Sequence, residues 1–269
     1  MKKITKITRQ KNNEQRYNIF LDEQYAFAVD EAVLVQFELK KGKVLDEFEI
    51  GDITYEEEIR KAFNKALQFL GFQMRSEHEV KEKLLAQGFG EAVILEAIQK
   101  LYHYKFLDDA AYSKALLETK KKTQKKGPRA IAQDMHKKGI DKELQQQVLQ
   151  QYSEQEQIDV AMQLAEKLVR SETKKTPMQL KQKIQDLLLR KGYSFAIITS
   201  VVENIKLERQ DDDWDALIAV QGDKVWRKYA AKYEGYDLRM RTKQALYQKG
   251  FPSEVIDAFI EQKEHEEHE

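Results

Sequence analysis

Residues 75–101 read RSEHEVKEKLLAQGFGEAVILEAIQKL, and the pattern of this stretch returns three more times later in the chain. Ser76 followed by Glu79 forms a capping box, which predicts that a helix begins there. Apolar residues then recur at helical spacing up to Gly88, the residue type favoured where a helix ends in a left-handed turn. A second apolar stripe begins at Val93. The stretch therefore predicts two helices joined at a glycine.

The repeat becomes visible when the chain is aligned on four glycines, Gly88, Gly139, Gly192 and Gly250. The positions four before each glycine, and one, five and ten after it, are apolar in every copy. One more helical pattern precedes each glycine motif, so each copy predicts three helices. A single three-helix unit buries little apolar surface and must stack on a neighbour. We therefore expect a mainly α protein, built as an elongated, curved array of tandem three-helix repeats.

The N-terminal residues follow a different period. Short alternating runs at residues 4–8, 16–21 and 25–29 predict a small antiparallel β meander. Asp30 can cap a short helix, residues 44–50 can add a strand, and the capping box from Thr54 to Glu57 predicts the start of a long helix. The patterns divide the chain into a β-rich N-terminal domain (1–52), four three-helix repeats (53–104, 105–152, 153–208 and 209–262) and an acidic tail (263–269).

The composition excludes several classes of protein. Only 11 Gly and 3 Pro occur, which argues against an all-β sandwich. The absence of cysteine removes disulfides and thiolate chemistry and suits a reducing compartment. No apolar run approaches the roughly 18 residues of a membrane helix, and the N-terminus lacks the apolar segment of a signal peptide. We therefore expect a cytoplasmic protein without membrane contact.

Signals of enzymatic chemistry are missing from the sequence. It contains no P-loop, dinucleotide fingerprint or nucleophile elbow, so we predict no catalytic residue, cofactor or metal. His265 and His268 lack the spacing of a zinc-binding H-E-x-x-H motif, and a solvated acidic tail is the favoured interpretation. The acids at 211–213 could suggest magnesium, but acids at a helix N-terminus complement its dipole, which we favour.

The strongest polar feature lies in the second repeat, and we name it the lysine cluster: Lys120, Lys121, Lys122, Lys125, Lys126 and Arg129. Although the formal net charge of the chain is zero, this local excess could contact phosphates or an acidic protein surface. Alternatively, it is a solvated helix end whose cations complement the C-terminal dipole. No aromatics interleave with the lysines, which argues against stacking of unpaired bases on them.

A second basic set lies beside the repeat glycines: Lys138, Arg190 with Lys191, and Lys249. Recurrence at one structural position could create a basic stripe along the array. Capping of helix C-termini would produce the same recurrence without a ligand. The sequence leaves both interpretations open.

In their order and spacing, eleven residues resemble the signature of the RecX family, bacterial regulators of the recombinase RecA: Arg75, Ser76, Glu77, Glu79, Gly88, Leu107, Asp108, Asp109, Tyr112, Gly127 and Gly139. The β-rich extension and the fourth repeat resemble the longer RecX proteins of Gram-positive bacteria. Two departures stand out. Gln73 occupies a position where the family often has arginine, and the third repeat has Gln179-Leu180 in place of a clear Ser-x-x-Glu cap, after a segment at 171–177 that reads as a flexible linker.

The resemblance implies a non-enzymatic regulator that binds RecA and its filament on single-stranded DNA. Such proteins restrain the ATPase, strand-exchange and coprotease activities of RecA, and so affect recombination, DNA repair and the SOS response. We expect a monomer with RecA as its partner and a weak contact to single- or double-stranded DNA. Two alternatives remain, a nucleic-acid-binding protein that competes for DNA and a generic helical-repeat scaffold. The candidate contact residues are the lysine cluster with Lys137, Lys138, Arg190 and Lys191.

Overall fold

The structure is a computed structural model that describes residues 1–207 and 211–266, with the backbone alone described at 211 and 212. It divides into two compact units. The first comprises Met1–Leu116 and Met135–Gln146, and the second comprises Leu117–Asp134 and the chain from Gln147 onward. Each unit is described by itself below.

The predicted β meander is confirmed in the first unit. Strands β1 (Lys2–Gln10), β2 (Asn13–Leu21) and β3 (Gln24–Asp30) pair antiparallel, and a short β4 (Val44–Leu45) joins the other side of β1. The resulting order is β3-β2-β1-β4. Asp30 caps helix α1 (Glu31–Gln36), as predicted, by accepting a hydrogen bond from the backbone N–H of Ala32. One face of the sheet is therefore free to pack its apolar side chains against helices.

The long helix of the first unit begins earlier than the sequence pattern indicates. Helix α2 runs from Glu47 to Leu70, and Asp46 with Glu49 forms its capping box. The predicted cap at Thr54 is wrong, because the Thr54 hydroxyl donates to the carbonyl of Ile50 inside the helix. The predicted strand at 44–50 is correspondingly reduced to β4. The two cap-like motifs, at Asp46 and Thr54, lie eight residues apart, and the helix begins at the first of them.

Glu57, which the sequence assigns to a helix cap, has a different role. Its carboxylate is buried, accepts a hydrogen bond from the backbone N–H of Asp30 and pairs with Arg16 at 2.6 Å. It thereby ties α2 to strands β2 and β3. The predicted domain boundary at residue 52 lies inside α2.

Three-helix repeats follow, and the mainly helical fold class is confirmed. Repeat one combines α2 with α3 (Glu77–Leu85) and α4 (Glu91–His103). Repeat two contains α5 (Asp109–Gln124), α6 (Pro128–Lys137) and α7 (Lys142–Leu149), and the boundaries between the two units fall inside these helices. Repeat three contains α8 (Glu154–Ser171), α9 (Pro177–Lys191) and α10 (Phe195–Asn204). Repeat four contains α11 (Asp211–Ala230), α12 (Gly235–Gln248) and α13 (Ser253–Glu266).

The repeat columns divide into buried and half-buried positions. The residues four before each glycine are fully buried in all four copies: Leu84, Met135, Leu188 and Leu246. The column five positions after the glycine is only half-buried at Val93, Leu144 and Val255. In those helices the next residue along is the buried one, and in repeat two it is polar, Gln145. The glycine alignment therefore finds the right helix face but misses its centre by one residue.

Three of the four repeat glycines share a tertiary contact, which we name the glycine joint. In each joint the N-terminus of one helix lies against the left-handed glycine that follows another helix. Gly139, with φ of 70°, faces His78 in the first turn of α3. Gly192, with φ of 87°, faces Ala130 of α6, and Gly250, with φ of 85°, faces Met178 of α9. A Cβ at any of the three would lie within 3.0 Å of these neighbours.

Hydrogen bonds close each joint at the residue before the glycine. The Ser76 hydroxyl donates to the carbonyl of Lys138 at 2.7 Å. The Thr176 hydroxyl donates in the same way to the carbonyl of Lys249. Between α6 and α9 the backbone takes over, because the N–H of Gly127 donates to the carbonyl of Lys191 at 2.8 Å. Each joint therefore pairs an orphan carbonyl of a helix end with a donor at a helix start.

Helix α9 of repeat three has a cap, although it is not of the Ser-x-x-Glu type. Thr176 is its N-cap and forms a full capping box with Gln179, so Thr-x-x-Gln replaces Ser-x-x-Glu. The segment before it is also held by contacts, which the prediction of a flexible linker did not anticipate. Gln221 donates to the carbonyl of Lys174, and Lys183 pairs with Glu172 at 2.6 Å.

The joints predict a graded effect of replacing glycine by alanine. Gly88 has the same left-handed backbone, with φ of 86°, but no atom lies within 4 Å of a Cβ built there. Gly88→Ala should cost only the left-handed strain, about 1–2 kcal/mol of unfolding free energy. Gly139→Ala and Gly192→Ala add a steric clash and should cost about 1–3 kcal/mol more.

Urea denaturation followed by circular dichroism measures these losses. Gly90→Ala is the matched control, because Gly90 has an ordinary negative φ and open space around it. Equal losses for Gly88→Ala and Gly139→Ala would show that the joint contact carries no stability.

Candidate basic surface

The lysine cluster lies in the second unit, at the end of α5 and the start of α6. Helix α5 ends at Gln124, and Lys125 turns the chain with a positive φ of 51°. The carbonyl of Lys125 accepts a hydrogen bond from the buried Tyr193 hydroxyl, which holds this turn in place. The two segments of the cluster thus lie on either side of a fixed corner.

Much of the charge of the lysine cluster is neutralised within the fold. Lys126 pairs with Asp134 at 2.6 Å, and Lys120 approaches the same carboxylate at 3.6 Å. Lys121 lies between Glu118 at 2.6 Å and Glu156 at 3.2 Å. Its side chain is only 12% exposed. These contacts give the cluster a structural role that charge counting along the chain cannot reveal.

The pKa shifts agree with this arrangement. Burial by itself raises the pKa of Asp134, but the hydrogen bond from Lys126 and the charge of Lys120 outweigh it and leave the pKa lowered. The hydrogen bond to Glu118 raises the pKa of Lys121, and the same bond lowers the pKa of Glu118. All of these groups therefore stay charged near neutral pH, and the pairs persist.

Two cations of the lysine cluster remain available to a partner. The Lys122 side chain is 73% exposed and has only Glu118 nearby, at 3.2 Å. Arg129 is exposed, and among the residues that the structure describes it makes no ion pair within 4.0 Å. Lys125 donates to the side chain of Gln163. The lysine cluster therefore presents fewer cations at its surface than the sequence contains.

The basic set beside the glycines belongs largely to the joints. Lys138 reaches the Glu79 carboxylate at 2.6 Å, in the first turn of the helix that docks on Gly139. Lys191 donates to the carbonyl of Gln124, which brings the third repeat against the lysine cluster. Arg190 donates to the carbonyl of Asp186 on its own helix. Three members of the set, Lys138, Arg190 and Lys191, therefore make contacts within the protein, which agrees with the helix-capping interpretation.

The structure brings together some of the predicted contact residues and separates others. Arg190 and Lys191 join the lysine cluster in the second unit, although about sixty residues lie between them in the sequence. Lys137 and Lys138 belong to the first unit. Lys137 is exposed there and has no ion pair within 4.0 Å in the described part of the chain.

Several of the family-signature residues meet at the first glycine joint, around Gly139. Glu79 accepts from the backbone N–H of Ser76 and lies 3.6 Å from Arg75. The backbone N–H of Glu77 donates to Asp109 at 2.8 Å, which joins the start of α3 to the start of α5. Asp108 caps α5 through the N–H of Ala111. These residues organise three helix ends, so the signature is first of all a packing motif.

Burial shifts the pKa values of the ionisable groups around the first glycine joint. Burial, and then the charge of Glu79 and a hydrogen bond to it, raise the pKa of Tyr112 to about 12. Burial also raises the pKa of Asp109. For Glu79 burial acts in the same direction, but the bonds from Lys138 and the Ser76 backbone outweigh it, and its pKa is lowered. Glu79 is therefore a fixed anion within the joint.

One basic feature escaped the sequence analysis. The first twenty residues contain six basic residues and one acid, Glu14. Five of the cations are exposed and form no ion pair within 4.0 Å in the described residues: Lys2, Lys3, Lys6, Arg9 and Lys11. A charge count over a twenty-residue window would have found this excess.

In residues 1–207 and 211–266, no group of three His, Asp or Glu side chains is placed to hold a metal ion. His268 and the side chains of Asp211 and Asp212, which the sequence analysis considered, lie outside the described part. No helix in these ranges combines the length and the apolar character needed to cross a bilayer.

Comparison with protein-family models gives matches along most of the chain. Residues 2–46 match the regulatory protein RecX N-terminal domain. Residues 62–101 and 108–149 match the first and second three-helix domains of RecX. The third three-helix domain matches twice, at residues 154–202 and 211–260. The last two repeats therefore resemble one domain type.

Comparison with individual proteins gives the same result. Regulatory protein RecX of Bacillus licheniformis is 41% identical over 261 residues, which cover 97% of this chain and 98% of the relative. The Bacillus subtilis protein of the same name is 40% identical over 263 residues, 97% of this chain and 99% of the relative.

Two crystal structures resemble the fold. One, of regulatory protein RecX, has a TM-score of 0.68 and 35% identity over 76% of this chain and 100% of its own. The other, of RecX from Lactobacillus salivarius, has a TM-score of 0.53 and 32% identity over 55% of this chain and 96% of its own.

The contacts of Glu79 at the first glycine joint predict how the unfolding free energy depends on pH. Because its folded-state pKa is lowered, Glu79 contributes stability above its unfolded pKa of about 4.3, and this contribution is lost as pH falls through the folded value. Glu79→Gln should lower the unfolding free energy at neutral pH by about 1–2 kcal/mol, at the low end because Lys138 is partly solvated. At acidic pH, below the folded pKa, the difference between wild type and variant should disappear.

Urea denaturation at neutral and acidic pH measures this difference. Glu82→Gln on the same helix is the control, since Glu82 is exposed and should give no pH-dependent difference. A Glu79→Gln deficit that persists unchanged in acid would contradict the charged joint.

Proposed function

Since the chain belongs to the RecX family, we propose that it regulates the RecA recombinase by binding RecA and its filament on single-stranded DNA. The observation that carries the proposal is the run of family matches from residue 2 to residue 260, together with relatives named regulatory proteins. The proposal is non-enzymatic: the chain alters RecA by occupying its surface. Its expected effect is inhibition of the ATPase, strand-exchange and coprotease activities, and hence an influence on recombination, DNA repair and the SOS response.

The contact residues that we propose are the open cations of the second unit. Lys122 and Arg129 are exposed, while their neighbours Lys120, Lys121 and Lys126 are held by carboxylates. Pairing fixes the neighbours, so the two open side chains project from a rigid base. Electrostatic complementarity of this kind favours association with an acidic surface. Lys125, Lys137, Lys138, Arg190 and Lys191 are secondary contacts in this proposal.

A second candidate is a direct nucleic-acid binder that competes with RecA for DNA. The cationic excess of the lysine cluster over its three carboxylates, Glu118, Asp134 and Glu156, favours it. Competition would show a steep decline of affinity with salt, because neutralised phosphates release counterions. Addition of excess single-stranded DNA would relieve competition but would leave RecA-directed inhibition in place.

We further propose a cytoplasmic, monomeric protein that needs no cofactor. We retain the division of the helical chain near residues 104, 152 and 208, in keeping with the family matches that begin at 108, 154 and 211. Repeat four and the N-terminal sheet then provide additional surface for binding RecA, DNA or another partner. A generic scaffold remains the explanation if RecA is not bound.

The central experiment is a RecA ATPase assay on single-stranded DNA with the purified full-length protein titrated in. We expect steady-state hydrolysis to fall as the amount of protein rises. Inhibition should survive excess single-stranded DNA. Hydrolysis that is unaffected at saturating protein would exclude RecA regulation of this kind.

Charge reversal of the open cations tests the contact surface. The Lys122→Glu/Arg129→Glu double variant should raise the half-inhibitory concentration about tenfold, which corresponds to about 1.4 kcal/mol of binding free energy. The physical reason is loss of two exposed charges. The pairs at Asp134 and Glu156 stay intact, and the exposed Lys122–Glu118 pair is lost. The matched control is Lys181→Glu/Arg227→Glu, at two exposed cations elsewhere in the second unit. Equal inhibition by both variants would place the contact outside the lysine cluster.

A further inference from the structure

The N-terminal sheet has one covered face and one open face. Helices α1 and α2 pack on the covered face, where Ile4, Ile19 and Val29 form a core with Val33 and Ile53. Side chains on adjacent strand residues point to opposite faces. The residues between these buried positions therefore face away from the helices.

Three adjacent strands contribute one row to the open face. Lys6 on β1 pairs with Phe20 on β2, and Phe20 pairs with Tyr25 on β3. The Phe20 and Tyr25 rings meet edge to face, with centroids 5.9 Å apart. The Lys6 ammonium lies over the Phe20 ring at 5.5 Å. Tyr25 is 60% exposed, so this aromatic surface is open to a ligand.

Polar side chains continue the open face along the strands. Thr8, Asn18 and Ala28 form the next row by the same strand pairing. Gln10 donates to the Asn18 side chain at 2.9 Å. Towards β4, Lys3 pairs with Val44, which is exposed where its neighbour Leu45 is buried. The face therefore combines aromatic rings, cations and hydrogen-bonding groups on a flat support.

The charge of this region differs from that of the lysine cluster. Within residues 1–207 and 211–266, the cations of β1 and its turn make no ion pair within 4.0 Å, whereas most lysines of the cluster are paired with carboxylates. The acids nearest the aromatic row are Asp22 and Glu23 in the β2–β3 turn. Asp22 accepts from the backbone N–H of Lys3, and Glu23 is held through its own N–H by Thr5. Both acids are exposed, and the five exposed cations Lys2, Lys3, Lys6, Arg9 and Lys11 outnumber them.

From this arrangement we propose that the open face of the N-terminal sheet binds single-stranded nucleic acid. Bases stack on Tyr25 and the neighbouring Phe20 ring, and phosphates lie near Lys6 and Lys3. Unpaired bases expose the ring faces that stacking requires, whereas a duplex buries them. An acidic protein surface would satisfy the lysines but would leave the aromatic row without a role. The proposal does not rest on RecA regulation and assigns a role to the sheet.

The test measures binding of a fluorescently labelled oligothymidylate to the full-length protein by anisotropy at low salt. Tyr25→Ala should weaken binding at least about fivefold, the lower range for loss of one base–aromatic stack. Lys6→Ala should weaken binding and also reduce its salt dependence by about one unit of slope. RecA inhibition is measured in parallel, and its result is independent of the result for oligothymidylate binding.

Matched variants in the same unit serve as controls. Phe48→Ala removes an aromatic side chain that is 85% exposed on α2, and Lys65→Ala removes an exposed cation. Both should bind as wild type does, and circular dichroism should show all four variants folded. Equal binding by Tyr25→Ala and wild type, no binding by wild type, tighter binding of a duplex, or displacement by polyglutamate as effective as by oligothymidylate would each overturn the proposal.

Discussion

The contact on which the helical part depends is the approach of a helix start to the left-handed glycine at another helix end. A helix start has unpaired N–H groups and a partial positive charge, and a helix end has unpaired carbonyls. Bringing the two ends together gives the carbonyl of the helix end a donor, but the chains must come closer than a side chain at the glycine position permits. Glycine at 139, 192 and 250 meets that requirement, with a hydroxyl of Ser76 or Thr176, or the backbone of Gly127, as donor.

The glycine joints also explain the positions of several charged residues. Each glycine is preceded by a lysine whose carbonyl accepts the joint hydrogen bond, and two of these lysines turn their ammonium groups back into the protein. Glu79 caps α3 and anchors Lys138 at once, so one carboxylate serves both the helix and the joint. A sequence signature made of charged residues can therefore reflect contacts between helices of the protein. Its members need not touch a partner to be required.

This division of charge bears on function. In the second unit the fold itself neutralises much of the lysine cluster and leaves a few cations open. In the first unit, Lys6 of strand β1 lies over the Phe20 ring, beside the exposed Tyr25. A protein with no net charge thus has a basic surface in each unit, and the two surfaces differ in chemistry. We propose the lysine cluster for contact with an acidic surface and the face beside Tyr25 for contact with unpaired bases.

The sequence by itself determined the meander, the number of repeats, the left-handed glycines and the family. Each depends on spacing within a few residues, or on a period that the chain repeats. Only the tertiary structure decided that α2 begins at Glu47, after the cap Asp46, and not at Thr54. Only it decided which lysines are free, because their carboxylates come from other helices, as Glu156 does for Lys121. Contacts between residues that lie far apart in the chain leave no local pattern, and that is why charge counting alone could not place the surface.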